Sequence, residues 1–130
     1  MEFRFSVEDE AFKKELRQFL ESELPAGWDP GARRPEEADF ELALNIRKKL
    51  ANRGWLTMHW PKEYGGHNVS PVRYAIFNEE MSYWRAPGRD PFGIRLLAPV
   101  LMIYGTEEQK RMFLPPIARG EALWCQGCLL

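Results

Sequence analysis

The sequence predicts an all-α domain, a bundle of five to six helices closed by a short C-terminal strand with no partner. Three observations carry this. Apolar residues recur at three- and four-residue spacing through most of the 130 residues. The period-two alternation of a half-buried sheet is nearly absent. Helix caps and Pro/Gly breaks fall at the ends of the periodic stretches.

The first helix is expected over residues 7–24. Ser6 can cap it, with Asp9 three residues on as a capping-box partner. Phe12, Leu16, Phe19 and Leu20 form its apolar face, while Glu8, Glu10, Lys13, Lys14, Glu15 and Arg17 cover the others. Three prolines and two glycines make residues 25–35 a loop. A second helix runs from Glu36 or Asp39 to Arg53. Glu36, Glu37 and Asp39 lie in its first turn, and Arg47, Lys48, Lys49 and Arg53 toward its end, a polarity that complements the helix dipole. Leu42, Ile46 and Leu50 recur every four residues beside Ala43, and Gly54 suits the left-handed residue after the helix.

Residues 55–69 form an aromatic loop. Ser70-Pro71 then restarts a helix as cap and N1 proline. Val72, Ala75, Ile76 and Tyr83 are expected along one side of this third helix, and residues 86–91 end it. The fourth segment, residues 92–104, is almost wholly apolar, which suits a helix buried on most sides. Its internal Pro99 predicts a kink or a late start. Thr106 and Gln109 form a capping box for a fifth helix, and Pro115-Pro116 opens a short turn ending at Arg119-Gly120. Residues 122–130 read as a buried strand. A lone strand cannot satisfy its backbone groups in a core, so it belongs to a sheet outside this chain.

Composition narrows the function classes. Eighteen Lys+Arg against nineteen Asp+Glu leave a net charge of −1, too little cationic excess for a phosphate-driven nucleic-acid binder. Apolar residues at 45%, with seventeen aromatics, suffice for a core. The N-terminus has no signal-peptide pattern, and apolar runs break well before membrane-spanning length. Two cysteines near the end cannot staple a secreted mini-domain. A soluble, cytoplasmic domain without membrane insertion is expected.

Candidate chemistry is sparse. His59 and His67 lack an acid or cysteine at ligand spacing, and neither a metal site nor a catalytic triad is indicated. Cys125 and Cys128 form a C-x-x-C, but the strand-to-helix turn of a redox site and the second pair of a zinc ribbon are both missing. Gly65-Gly66 fits a tight bend better than a phosphate loop. Glu79-Glu80 reads as a surface or dipole-compensating pair. Phe92, Leu96 and Val100, four apart, share one helix face that is either core or the wall of an apolar ligand pocket.

Three stretches add a resemblance. Gly54-Trp-Leu-Thr-Met-His-Trp-Pro-Lys-Glu-Tyr-Gly65-Gly66 resembles the signature loop of the acyl-CoA dehydrogenase amino-terminal domain. Tyr104-Gly-Thr-Glu-Glu-Gln-Lys110, with Phe113-Leu-Pro115 and Gly120-Glu121, is similar to that family's second helical signature. Ala122-Leu-Trp-Cys-Gln-Gly127 resembles the entry into its first β-strand. Residues 1–121 would then be the amino-terminal helical domain and residues 122–130 the start of a middle β-domain.

The resemblance implies an FAD-dependent oxidoreductase that desaturates acyl-CoA thioesters at the α,β bond. A base in the carboxy-terminal domain takes the α-proton, and flavin N5 takes the β-hydrogen as hydride. An electron-transfer acceptor and a homo- or hetero-oligomer are implied as partners. Residue by residue, Gln126 matches a position near the isoalloxazine ring, flanked by Trp124 and Gly127. Phe92, Leu96 and Val100 match the helix lining the acyl cavity. No residue matches the catalytic base. After Gly127 the family continues with an aromatic, Ser/Thr-Glu-Pro and a Gly-rich run, whereas this sequence reads Cys128-Leu129-Leu130. The expectation is a truncated, frame-altered or deliberately short product, inactive alone and binding flavin weakly or not at all. The alternatives are a non-enzymatic helical interaction module pairing through its C-terminal strand and, third, a redox C-x-x-C protein.

Overall fold

The computed structural model describes residues 4–31 and 36–128. Five α-helices follow in order: α1 (Val7–Glu23), α2 (Glu36–Asn52), α3 (Pro71–Tyr83), α4 (Ala98–Tyr104) and α5 (Glu107–Ala118). A 3-10 turn at Lys62–Tyr64 and a π-helical segment at Pro91–Leu97 complete the helical architecture. No strand occurs among the described residues. The expected acidic side chains of the first turn of α2, the end of the preceding loop, and Leu129 and Leu130 lie outside the described residues.

The caps form as their sequences dictate. Asp9 N–H donates to Ser6 Oγ at 3.1 Å, and Arg73 N–H to Ser70 Oγ at 3.2 Å with Pro71 in the first turn. Thr106 and Gln109 make a reciprocal capping box. At the end of α2, Gly54 takes φ +70°. Its N–H reaches the Ala51 carbonyl and that of Trp55 the Leu50 carbonyl, both at 2.9 Å. This 6→1 and 5→2 pairing satisfies two otherwise orphaned carbonyls.

The core joins the inner faces of the helices to the aromatic loop. Phe12, Leu16, Phe19 and Leu20 of α1 and Ile46 and Leu50 of α2 are buried. From the loop, Trp55, Leu56, Met58 and Trp60 point inward, with Trp55 edge-on to Phe12 and Phe19. Gly66 lets this loop fold back, since a Cβ there would overlap the Trp60 carbonyl. Among the described residues no helix is long and apolar enough to cross a membrane.

Five expectations need correction. The inward face of α3 is Ile76, Phe77, Glu80 and Met81, while Val72, Ala75 and Tyr83 are exposed. Glu80 is therefore no surface carboxylate. It is 3% exposed and receives Arg17 Nε and Nη2 at 2.9 Å each from α1, with Lys13 Nζ at 3.7 Å. Burial is possible because the pair is bidentate and charge-assisted. Pro115-Pro116 does not open a turn, since α5 runs through both prolines to Ala118. Leu114 and Ile117, buried on either side, hold the helix together despite the lost N–H donors.

The fourth segment is not buried on most sides, as described below. The C-terminal tail is not buried either: among residues 121–128 only Ala122 and Trp124 are partly covered. Nor do residues 121–128 form a strand: they carry no regular secondary structure, and the Glu121 and Ala122 N–H groups donate to the Pro116 carbonyl.

Candidate functional site: an apolar helix face beside the C-terminal tail

The segment after α3 begins with Asp90 and Pro91, the same cap-plus-proline pattern as Ser70-Pro71. Asp90 Oδ1 accepts the Gly93 N–H at 2.9 Å. The backbone then winds in π geometry, with the Ala98 N–H reaching back five residues to the Gly93 carbonyl. Pro99 accounts for the late start of α4. It cannot donate to the Arg95 carbonyl, and its ring crowds that position, so tight α winding begins only at Ala98.

Only part of this apolar segment faces the core. Gly93, Ile94, Ala98 and Leu101 are buried. Phe92 is 40% exposed, Leu96 53% and Val100 54%, and Ile103 and Tyr104 are more open still. The three sequence-selected residues therefore stand on an open apolar surface. Contiguous apolar exposure of this kind marks a surface that another group covers.

The tail approaches the same segment. Trp124 packs edge-on against Phe113 of α5, ring centroids 5.6 Å apart. Its indole also lies over Gly93, where an added Cβ would meet Trp124 Cδ1 at 3.0 Å. Gly93 is thus the contact that brings the tail to the π segment. Trp124 is held at the base of the apolar face, and Gln126 and Gly127 extend beyond it, both exposed. The space around Gly127 is open. Cys125 and Cys128 are free and exposed. The structure thus joins Trp124 to the π segment bearing Phe92 and Leu96, which runs on into α4 with Val100, while Gln126 and Gly127 are exposed.

His59 lies against Tyr74, ring centroids 3.8 Å apart, with its Nδ1 buried and without a partner among the described residues. Burial, aided by the Arg95 charge, pushes its pKa down to about 4. The ring is thus neutral at pH 7. His67 sits against Gly54, where a Cβ would strike its imidazole. Among the described residues no group of three or more His, Cys, Asp and Glu side chains could hold a metal ion.

Sequence reasoning missed two buried polar groups. Arg47, named above among the basic residues toward the end of the second helix, is buried. Its Nε donates to the Gly88 carbonyl at 3.2 Å and its Nη2 to the Arg89 carbonyl at 3.4 Å. Asp90, also buried, supplies the nearby negative charge. The Asp-Pro step was a legible signal for Asp90 as a cap. Nothing local marks Arg47, whose partners lie more than forty residues away.

Residues 6–121 match the family model for the acyl-CoA dehydrogenase N-terminal domain. The chain belongs to the acyl-CoA dehydrogenase family. Acyl-CoA dehydrogenase IpdE1 of Mycolicibacterium smegmatis is 37% identical over 127 residues, covering 93% of this chain and 32% of that protein. Acyl-CoA dehydrogenase FadE26 of Mycobacterium tuberculosis is 35% identical over 125 residues, covering 93% of this chain and 30% of its own length. The chain thus spans about a third of the length of the curated acyl-CoA dehydrogenases it matches. Among solved structures, the ChsE4-ChsE5 complex of M. tuberculosis superposes with a TM-score of 0.77 at 32% identity, covering 93% of this chain and 30% of the other. The all-α architecture is that of the family's N-terminal domain.

Proposed function

We propose that this chain forms the helical wall of an FAD-dependent acyl-CoA dehydrogenase that introduces an α,β double bond into an acyl-CoA thioester. The observation that carries this reading is the open apolar face of Phe92, Leu96 and Val100 in a chain of this family. In this reading the face covers the acyl chain, burying apolar surface worth about 25 cal/mol per Å² and excluding water from the reacting carbons. Trp124 fixes the start of the tail through Phe113 and Gly93. Residues 122–130 then enter the first strand of a middle β-domain.

Gln126 and Gly127 fit a flavin edge, because the Gln126 side chain is exposed and the space at Gly127 is open. FAD bound there would supply the hydride acceptor for the β-hydrogen. The general base and the electron-transfer acceptor come from outside this chain. A homo- or hetero-oligomer is part of the proposal, as in the ChsE4-ChsE5 complex. The free, exposed Cys125 and Cys128 suit a reducing cytoplasm.

The test is a chimera in which residues 6–121 replace the matching region of M. smegmatis IpdE1, purified with flavin bound. Leu96→Ala and Val100→Ala are expected to raise KM for acyl-CoA substrates while leaving kcat nearly unchanged, the pattern of lost uniform binding. A flavin-loaded chimera whose KM ignores both substitutions at every acyl length would refute the wall. The 130-residue chain alone, given FAD, acyl-CoA and an electron-accepting dye, is expected to show no turnover.

A further inference from the structure

A cavity of about 340 Å³ lies between the aromatic loop, α3 and the stretch from Ala86 into the π segment as far as Arg95. Its floor is apolar, built from the buried side chains of Leu56, Phe77, Ala86 and Ile94. Its walls include two arginines, Arg89 and Arg95. Neither Phe92, Leu96 nor Val100 lines it.

The charges around this cavity do not balance. Asp90 also lines it; its Oδ1 accepts the Gly93 N–H, its Oδ2 is buried without a hydrogen-bond partner among the described residues, and its charge also acts on the buried Arg47. Among the described residues the Arg89 side chain finds only a neutral hydrogen-bond partner, its Nη1 donating to Ser82 Oγ at 3.0 Å. Among the described residues neither Arg89 nor Arg95 has a carboxylate within 4.0 Å. The remaining titratable neighbours are His59, neutral at pH 7, and the phenol of Tyr74. The two guanidiniums also feel each other: burial first, and Arg95 second, lower the pKa of Arg89 below the usual arginine value. By contrast, Arg17 pairs with Glu80 and Arg73 with Asp9.

We propose that this cavity binds a small organic carboxylate, its oxygens held by Arg89 and Arg95 and its apolar body on Leu56, Phe77 and Ile94. A guanidinium suits this task because its planar fork matches a carboxylate. The apolar floor distinguishes the site from a surface anion patch, and the volume admits a compact ring or short chain at the small end of ligand cavities. The proposal stands independently of the acyl wall, since the two surfaces have different linings.

The test uses the 130-residue chain labelled with ¹⁵N and titrated with sodium benzoate and, separately, inorganic phosphate. Arginine Nε–H and backbone amide resonances report binding. Benzoate is expected to give saturable shifts at Arg89, Arg95 and Gly88, and to bind more tightly than phosphate, which gains nothing from the apolar floor. Arg95→Gln is expected to weaken benzoate about tenfold, the loss of one charge-assisted contact. Arg119→Gln, just past α5 and outside the cavity lining, leaves it unchanged. Arg95 is exposed, and unmoved amide resonances in α1 verify that the variant is folded. Arg89→Gln supplies a second variant with the same expectation. Unsaturable shifts spread over all arginines, equal affinity for phosphate, or an Arg95→Gln titration that overlays the parent would overturn the proposal.

Discussion

Arg17→Ala probes the contact that fastens α1 to α3. The substitution removes two 2.9 Å hydrogen bonds to Glu80 and leaves a carboxylate that is 3% exposed with only Lys13 Nζ, 3.7 Å away. Stranding a fully buried ion costs about 3–5 kcal/mol. Arg17 itself is 51% exposed, so water can reach the vacated position and the loss is discounted to about 2 kcal/mol. For a domain of this size each kcal/mol moves Tm by about 4 °C, giving a drop of about 8 °C. Thermal unfolding followed by circular dichroism reads this directly. Glu80→Gln removes the buried charge in place, so a double-mutant cycle isolates the pair. The double variant is expected to recover about 1 kcal/mol relative to the sum of the single changes. High salt should shrink that coupling, because one partner reaches solvent. An Arg17→Ala drop below about 2 °C, or a coupling indistinguishable from zero, would show that the helices are held by apolar contacts alone.

Further expectations follow from the same geometry. His59 is held near pKa 4 in the folded chain against 6.5 unfolded, so below pH 6.5 the unfolded state takes up the proton first. Stability should therefore fall from pH 6.5 to about 4 and then level. The loss is at most about 3 kcal/mol and should be missing from the urea midpoints of His59→Phe. Asp9 works in the opposite sense: Ser6 and then Arg73 hold its carboxyl below the usual range. Its contribution is thus present at neutral pH and lost as pH drops through the lowered value, a loss absent from Asp9→Asn. Gly66→Ala drives a Cβ into the Trp60 carbonyl and should prevent the aromatic loop from closing, seen as lost near-ultraviolet dichroism. Thr106→Ala removes half of the α5 capping box and should cost about 1 kcal/mol in chemical denaturation.

Interactions that close within a few residues are legible in the amino-acid pattern alone. Ser6, Ser70, Thr106 and Gly54 set helix ends because their partners lie within one turn. The apolar spacing of Phe12, Leu16, Ile46 and Leu50 placed those residues in the core, since a helix presents every fourth residue on one side. Gln126 and Gly127 were named through motif resemblance, and their exposure is a property of the folded chain.

How distant segments share charge and cover is set by the packing of the folded chain. Glu80 is buried because Arg17, sixty-three positions earlier, reaches it across the helix interface. Helix α5 passes through Pro115 and Pro116 because Leu114 and Ile117 are packed on either side. The face of Phe92, Leu96 and Val100 stays open because the π segment turns Ile94, Ala98 and Leu101 inward instead. Trp124 meets that segment because Gly93 has no side chain to exclude it. The physical reason is common to all four: burial depends on what arrives from elsewhere in the chain, and local spacing carries no record of that arrival.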